Sequence, residues 1–594
     1  MRLFSVQTLL LIVALLAAPL LDTALAAMPA KPHAPAAKPH KAPMAMPMAA
    51  AVPPAAPSNP ACAYQDIDIQ KYGLQPFADA PVIRAGTDHI LTATLSIAYT
   101  DPVTTSIAGC GVHLRTYDGK LIGPTLRVTR GDTMKITVRN DLPPSKDAKG
   151  NPIPCPMAHS NMVHPLDVTN LHTHGLHVSP SGNSDNVFLE ICPGKSQDYA
   201  ITIPPDHPFG TFWYHAHVHG STAVQVSSGM EGALIVEGGL DDVPEIKAAK
   251  ERIFLLQQIS YDQQGEIESL AQFSPGSWAD SKRSVTVNGQ IAPVVTMQPG
   301  AVERWRFIHG GVRETLPLFV QGGGPLNEIA TDGNTLGRID AWTRPLELDP
   351  GYRSDVLFKA PMLPAGKTSA RYYLLSAPLS GLQLLQARLP APGLKRKGGA
   401  LFAEAFTAAL NEVQPTGVIA VIDVAGPPND MPMPTNAELA PLAPFQPITD
   451  AELTGTPQSM TFSIEQADCS GKGPCKPCPS GTCPVQFMVD RDPYGQGLVR
   501  QLKLGTASQW TLAVATTSLA LTHPFHIHVN PFEMTRPGPD GQPETVWKDT
   551  ILVHAGSPIL MRSRYTDFDG EFVLHCHILD HEDQGMMQAV EIVK

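Results

Sequence analysis

The chain has 594 residues, a formal charge of −12, and 43% hydrophobic against 16% charged residues. That length is too great for one core, so about three domains are expected, and the acidic balance excludes the basic face that nucleic acid requires. With 59 Pro and 48 Gly the chain is punctuated too often for long helices, which favours an all-β architecture.

Residues 1–26 read as a signal peptide. Arg2 supplies the positive start, an apolar run follows from Leu9 to Leu21, and Ala24-Leu25-Ala26 forms a small-residue cleavage site. The run is shorter than the ~20 residues of a spanning helix, and no later stretch is long enough to span. There is no twin-arginine pair and no cysteine at the cleavage site, which points to the general secretory route and away from a lipid anchor. The expected product is exported, periplasmic or extracellular, with no membrane anchor. Residues 27–60 are rich in Ala, Pro, Met, His and Lys; such a composition cannot bury a core and reads as a disordered arm.

Residues 61–240 alternate short strand-like runs with Gly, Pro and Asp turns, as in Leu126-Arg127-Val128-Thr129 and Met134-Lys135-Ile136-Thr137-Val138, and Gly232-Ala233-Leu234-Ile235-Val236 reads as a closing strand. A second block, 241–390, repeats the pattern with Ser284-Val285-Thr286-Val287-Asn288-Gly289 and Glu303-Arg304-Trp305-Arg306-Phe307. Residues 391–445 are mixed, with a helix expected over 401–413 and a Pro-rich stretch after it, and read as a linker or insertion. Residues 446–594 return to strands. Three β-rich blocks of this size suggest three sandwich domains.

Four motifs carry the chemistry: Leu171-His172-Thr173-His174-Gly175, Trp213-Tyr214-His215-Ala216-His217, His523-Pro524-Phe525-His526-Ile527-His528, and His575-Cys576-His577 continuing to His581 and Met586. On a strand, side chains alternate faces with period two, so both imidazoles of each His-x-His point the same way. The pairs His172/His174, His215/His217, His526/His528 and His575/His577 supply eight imidazoles that can converge on one cluster, and imidazole suits copper among other transition metals. Cys576 lies between two of them and faces the other way. His523 is an odd number of residues from His526 and His528 and can point away from the cluster as well. Two imidazoles (His523, His581), one thiolate (Cys576) and a weak axial thioether are the ligand set of a blue-copper electron-transfer site; Met586 is the candidate thioether and Met587 a poorer one. The peptide bonds from Cys576 to His575 and His577 then form a short bonded path between the two sites. Structural histidines are the competing interpretation, but ten of them in four patterned motifs around one cysteine argue against it, and a zinc site, which usually takes four ligands per ion, does not suit one thiolate among ten imidazoles.

In motif content and order the sequence resembles the multicopper oxidase family, which includes bacterial laccases, cuprous oxidases and bilirubin oxidases, over nearly the whole mature chain. The resemblance implies an all-β fold of three cupredoxin-like Greek-key β-sandwich domains and four copper ions. It assigns His172 and His526 to a type 2 copper, His174, His215, His217, His528, His575 and His577 to a type 3 pair, and His523, Cys576, His581 and Met586 to a type 1 copper. The trinuclear cluster would lie between the first and third domains, which fits motifs that skip the middle block. The implied activity couples four one-electron oxidations of a donor to reduction of O2 to two waters, the electron entering near His523 or His581. Glu582 and Asp185 are the candidate catalytic carboxylates for supplying protons, surface carboxylates being the alternative. Phenols and aromatic amines are the favoured donors. Cuprous or ferrous ions are the alternative, although the only methionines outside the arm suggestive of a cuprous site are Met431 and Met433. A copper-binding or sequestering protein without turnover is the reading from another class; relatives of that kind usually lose ligands, and every ligand position is filled here. His33, His40, Met44, Met46 and Met48 could bind copper loosely, with a plain linker as the alternative.

His177 and His219 neighbour the motifs but exceed a full ligand set, and His159, His164 and His207 read as loop histidines. Of nine cysteines, Cys576 is the odd one. Cys469, Cys475, Cys478 and Cys483 can bind zinc, but in an exported protein disulfides are preferred. Cys62, Cys110, Cys155 and Cys192 are expected to pair as well, and eight cysteines allow 105 pairings, so none is assigned.

Overall fold

Strict alternation builds the sheets. In Ile90–Tyr99 and Thr133–Asn140 nearly every second residue is buried, and the two strands pair in parallel from Ile90 opposite Thr133 to Ile97 opposite Asn140. The computed structural model describes residue 62 and residues 68–146, 149–155, 165–274, 278, 285–376, 417–471, 473–478, 483–495 and 499–594. The signal peptide, the arm, His159, His164 and the helix expected over 401–413 lie outside the described residues.

The described strands form three pairs of sheets, each pair closing on its own apolar core. In the first, a four-stranded sheet (Arg115–Tyr117, Ile90–Tyr99, Thr133–Asn140, Ser196–Thr202) faces a five-stranded one ordered Val82–Arg84, Thr125–Val128, Glu231–Val236, Gly210–His215, His172–His174. Leu91, Leu95, Ile136 and Ile201 from one sheet and Leu126, Phe212 and Leu234 from the other close its core. The second block pairs a six-stranded with a five-stranded sheet around Phe254, Trp305, Phe307 and Leu318. The third pairs a seven-stranded sheet with one ordered Arg500–Lys503, Met587–Val593, Gly570–Cys576, Thr522–Ile527, Thr550–His554, around Phe462, Trp510, Phe525 and Leu574.

One boundary is corrected. Val418–Ala425, inside the stretch 391–445 read as a linker, is an almost fully buried strand of the second sandwich. It pairs antiparallel with Ser369–Ser376 and parallel with Val294–Met297. A short apolar run beside a Pro-rich stretch gives no period by which to recognise a central strand. First and second sandwiches join through Ile122, Trp213, Ala233 and Ile235 on one side and Ile253, Leu255 and Ile308 on the other. Among the described residues no helix is long and apolar enough to cross a membrane.

Candidate metal centre

The four histidine motifs fold as two strand pairs. His172–His174 pairs antiparallel with Gly210–His215, placing His172 opposite His215. Thr522–Ile527 pairs antiparallel with Gly570–Cys576, placing His526 opposite His575 and Phe525 opposite Cys576. The first pair belongs to the first sandwich and the second to the third, and the imidazoles meet between them. His172 stacks on His528 with ring centroids 3.9 Å apart, and His174 stacks on His526 at 3.8 Å. His217 Nε2 is 3.2 Å from His575 Nε2, and His577 Nε2 is 3.3 Å from His174 Nδ1. All eight rings are buried.

Six of the rings, His172, His174, His215, His217, His526 and His575, are held by one nitrogen against a carbonyl or a carboxylate. His215 Nδ1 donates to the Ala216 carbonyl (2.8 Å), His526 Nδ1 to the Asp549 carbonyl (2.9 Å), and His575 Nδ1 to the Cys576 carbonyl (3.0 Å). His172 Nδ1 lies 3.1 Å from Asp185. The Nε2 atoms of His172, His215 and His526 are buried with no hydrogen-bond partner among the described residues. His174 is turned round: its Nε2 meets Asp549 Oδ1 at 3.2 Å and its Nδ1 faces His577. A ring tied outward by one N–H presents a lone pair at the other nitrogen, which is how a metal-binding imidazole is oriented. Burial, helped by neighbouring imidazoles, pushes the pKa of His174, His215, His526, His528 and His577 well below the ordinary histidine value. These rings are neutral at pH 7, the form that binds a metal.

Cys576 lies on the far side of its strand, as its parity requires. It is the one free cysteine among the described residues. Its Sγ is 3.4 Å from His523 Nδ1 and 3.8 Å from His581 Nδ1, and those two nitrogens are 3.3 Å apart. Burial pushes the thiol well above its ordinary pKa, so a bound cation is needed to make it a thiolate. Met586 is buried in the same core cluster as Cys576, and its backbone brackets the site: Cys576 N donates to the Met586 carbonyl and Met586 N to the His581 carbonyl (both 3.0 Å). Met587 packs instead with Val187 and Val573. His523 and His581 are both buried; Phe462 packs beside His523 (ring centroids 5.5 Å), and Phe487 beside His581 (5.3 Å). Arg313 Nη2 lies 3.5 Å from His581 Nε2.

Both candidate carboxylates reach the cluster. Glu582 Oε2 lies 3.1 Å from His575 Nδ1 and Oε1 lies 3.4 Å from His217 Nδ1, so one carboxylate bridges two rings. Burial raises its pKa, but His217 and His575 outweigh that and hold it low. Asp185 accepts from Thr173 N (2.9 Å) and sits against His172; burial raises its pKa too, and His172 reverses it. A cavity of about 20 Å³, room for one water, opens beside His217 between Val187, His219 and Tyr494.

Sequence reasoning missed the support beneath these groups. Asp549 braces His174 and is paired in turn with Arg353 (Nη1–Oδ1 2.8 Å) from the second sandwich. Asp583 accepts from Gly220, Thr222 and Ala223 N–H groups, tying the helix Leu579–Asp583 to the start of Thr222–Ser227. No local spacing announces such contacts; the only sequence signal for Asp583 is that it adjoins Glu582.

His177, His207 and His219 make contacts of their own. His177 bonds Val529 O and Asp567, both at 2.8 Å. His207 donates to Pro208 O and accepts from His177 N. His219 packs against Tyr494 at 4.8 Å. Eight cysteines form four disulfides: Cys62–Cys110, Cys155–Cys192, Cys469–Cys475 and Cys478–Cys483.

Comparison with known proteins agrees with this centre. Two family descriptions, each reading multicopper oxidase, match residues 158–240 and 478–594, the two segments that hold all the motifs. A laccase of Bacillus subtilis (strain 168) is 24% identical over 525 residues, covering 80% of this chain and 89% of the relative. A bilirubin oxidase of Albifimbria verrucaria is 23% identical over 489 residues, covering 80% and 72%. Among solved structures, a multicopper oxidase from Campylobacter jejuni described as a metallo-oxidase superposes with a TM-score of 0.63 at 22% identity, covering 90% of this chain and 99% of that one. With its fold shared, its two motif-bearing segments matched and its imidazoles gathered between two sandwiches, the chain belongs to the multicopper oxidase family.

Proposed function

We propose that the protein is a laccase-like oxidase with four copper ions, oxidising phenols or aromatic amines and reducing O2 to water. The observation that carries the proposal is the pair of donor sets meeting through one strand: eight inward-facing imidazoles on one side and a thiol with two imidazoles on the other, joined by His575-Cys576-His577. The donor sets fit copper. Buried Nε2 atoms without partners are what a metal would satisfy, and thiolate with imidazole is a copper-selecting combination. His172 and His526 would hold a type 2 copper. His217, His528 and His575 would hold one member of a type 3 pair, and His174, His215 and His577 the other. His523, Cys576, His581 and Met586 would hold a type 1 copper. When bound, the coppers supply one-electron oxidation of the donor and four-electron reduction of oxygen. The protein's own part is to keep the rings neutral and aimed and to exclude bulk water by burial; Asp185 against His172, and Glu582 against His217 and His575, would hand on protons.

An organic donor is supported by the placement of Met431 and Met433. Both pack against Leu240, Val302 and Leu357 in a cluster that contains no residue of the Cys576 site. The signal-like N-terminal sequence supports export. Oxygen uptake by copper-loaded protein, with a phenol, an aromatic amine, cuprous ion and ferrous ion as separate donors, tests the proposal. Fastest uptake with the organic donors is expected. Faster uptake with the metal ions would reassign the donor, and none with any donor would overturn the oxidase reading.

A further inference from the structure

Glu231 is fully buried, and neither carboxyl oxygen has a hydrogen-bond partner among the described residues. The Gln257 amide lies beside it and also donates to the Leu121 carbonyl (2.7 Å). Its position is set by the sheet. Glu231–Val236 pairs with Gly210–His215 so that Glu231 stands opposite His215, and His215 stands opposite His172. Directly opposed residues project to one face with Cβ atoms about 5 Å apart, so His172, His215 and Glu231 form a single row across three strands. The same face carries Trp213 and Ala233, which pack on the second sandwich. Glu231 therefore lies where the histidine cluster, the first sandwich and the second sandwich meet. A Cβ on Gly310 of the second sandwich would collide with Glu231 Oε2, so that position leaves room for the carboxyl only as glycine.

A buried carboxylate without partners is costly, and burial pushes this carboxyl well above its ordinary pKa, with only Gln257 opposing. In its protonated form the group has an O–H to donate. Buried polar atoms that protein groups leave unserved are commonly served by internal water. Asp185 and Glu582 differ in geometry, since their oxygens are engaged by His172, His217 and His575.

We propose that Glu231 is a proton-relay residue of the histidine cluster, anchoring an internal water beside His215 and passing protons through it to oxygen as oxygen is reduced. The proposal rests on the oxidase reading above. Reduction of one O2 to two waters takes four electrons from the donor and four protons. Each proton that leaves Glu231 leaves a carboxylate, which recovers a proton originating in solvent, so the acid is regenerated.

The test compares copper-loaded wild type with Glu231→Gln and Glu231→Asp. Gln keeps the shape of the acid, so a space-filling role predicts wild-type behaviour. Relay predicts that E231Q slows reoxidation of the fully reduced protein by O2 by about tenfold or more, leaves anaerobic reduction of the type 1 colour by donor unchanged, and is partly rescued by E231D. An infrared difference spectrum supplies a second readout that needs no turnover: the carbonyl band of a protonated carboxylic acid is expected in wild type and lost in E231Q. Wild-type reoxidation in E231Q, or no such band lost, would overturn the relay. A wild type that takes up no oxygen sinks the oxidase reading itself, a result distinct from an active wild type with an unaffected variant.

Discussion

Asp549 shows how much one side chain can decide. It orients His174 by accepting from Nε2, and its carboxylate is held by Arg353 from another sandwich. Asp549→Ala should lower copper affinity of the imidazole cluster about 10–100-fold, the usual cost of losing a ligand's outer partner. The Cys576 site should keep its blue colour, and metal analysis with visible spectroscopy separates the two. The converse is expected of Cys576→Ser: the colour vanishes and donor oxidation stops, while copper bound by the eight imidazoles stays near wild-type content. The ligands themselves were legible in the sequence, because period-two spacing on a strand is a local rule and His172, His174, His215 and His217 obey it. Asp549 and Arg353 were not, because their pairing spans 196 positions and no spacing rule reaches that far.

At the scale of elements, the turn carrying Gly351 sits against the imidazole cluster. Its φ is +89°, and a Cβ there would come within 3.0 Å of His577 Cδ2 and 3.1 Å of His174 Cε1. Gly351→Ala should therefore combine backbone strain with pressure on two rings at once, reducing oxygen turnover more than it reduces type 1 reduction in anaerobic stopped flow. Strands with strict alternation, such as Thr133–Asn140, were readable in advance; the buried run Val418–Ala425 was not, since it lacks alternation and follows a stretch that resembles a linker. The disulfides also act by element. Cys62–Cys110 and Cys155–Cys192 close spans of 48 and 37 residues, whereas Cys469–Cys475 and Cys478–Cys483 close spans of 6 and 5. On loop entropy each long span contributes about 4 kcal/mol and each short one about 2 kcal/mol. Replacing Cys62 and Cys110 by Ala should lower the denaturant midpoint more than replacing Cys478 and Cys483.

Across the whole molecule, the sandwiches are joined by charge as well as by apolar packing. Glu251 of the second sandwich meets Arg127 of the first and Arg306 of its own (2.6 Å). Burial raises the Glu251 pKa, but Arg306 and Arg127 more than reverse it, to about 2. A carboxyl depressed in the folded state adds stability above its unfolded value of 4.5 and loses it as pH falls towards 2. After discounting its partial exposure, the contribution is on the order of 2 kcal/mol. Glu251→Gln should therefore destabilise the protein at pH 7 and flatten the acid limb of its stability curve, as read from denaturant titrations at a series of pH values.

The imidazole cluster draws its members from both ends of the chain: His174 faces His577 across 403 positions, and His217 faces His575 across 358. A ribosome that has made everything up to residue 570 has made only six of the eight rings, and the Cys576 site has only His523. Contacts this distant in sequence form late in folding, so copper is captured by the finished chain and not by a growing one. Bound metal then stabilises only molecules in which the first and last sandwiches have docked, and a copy truncated by twenty residues is left without that reinforcement and exposed to proteolysis.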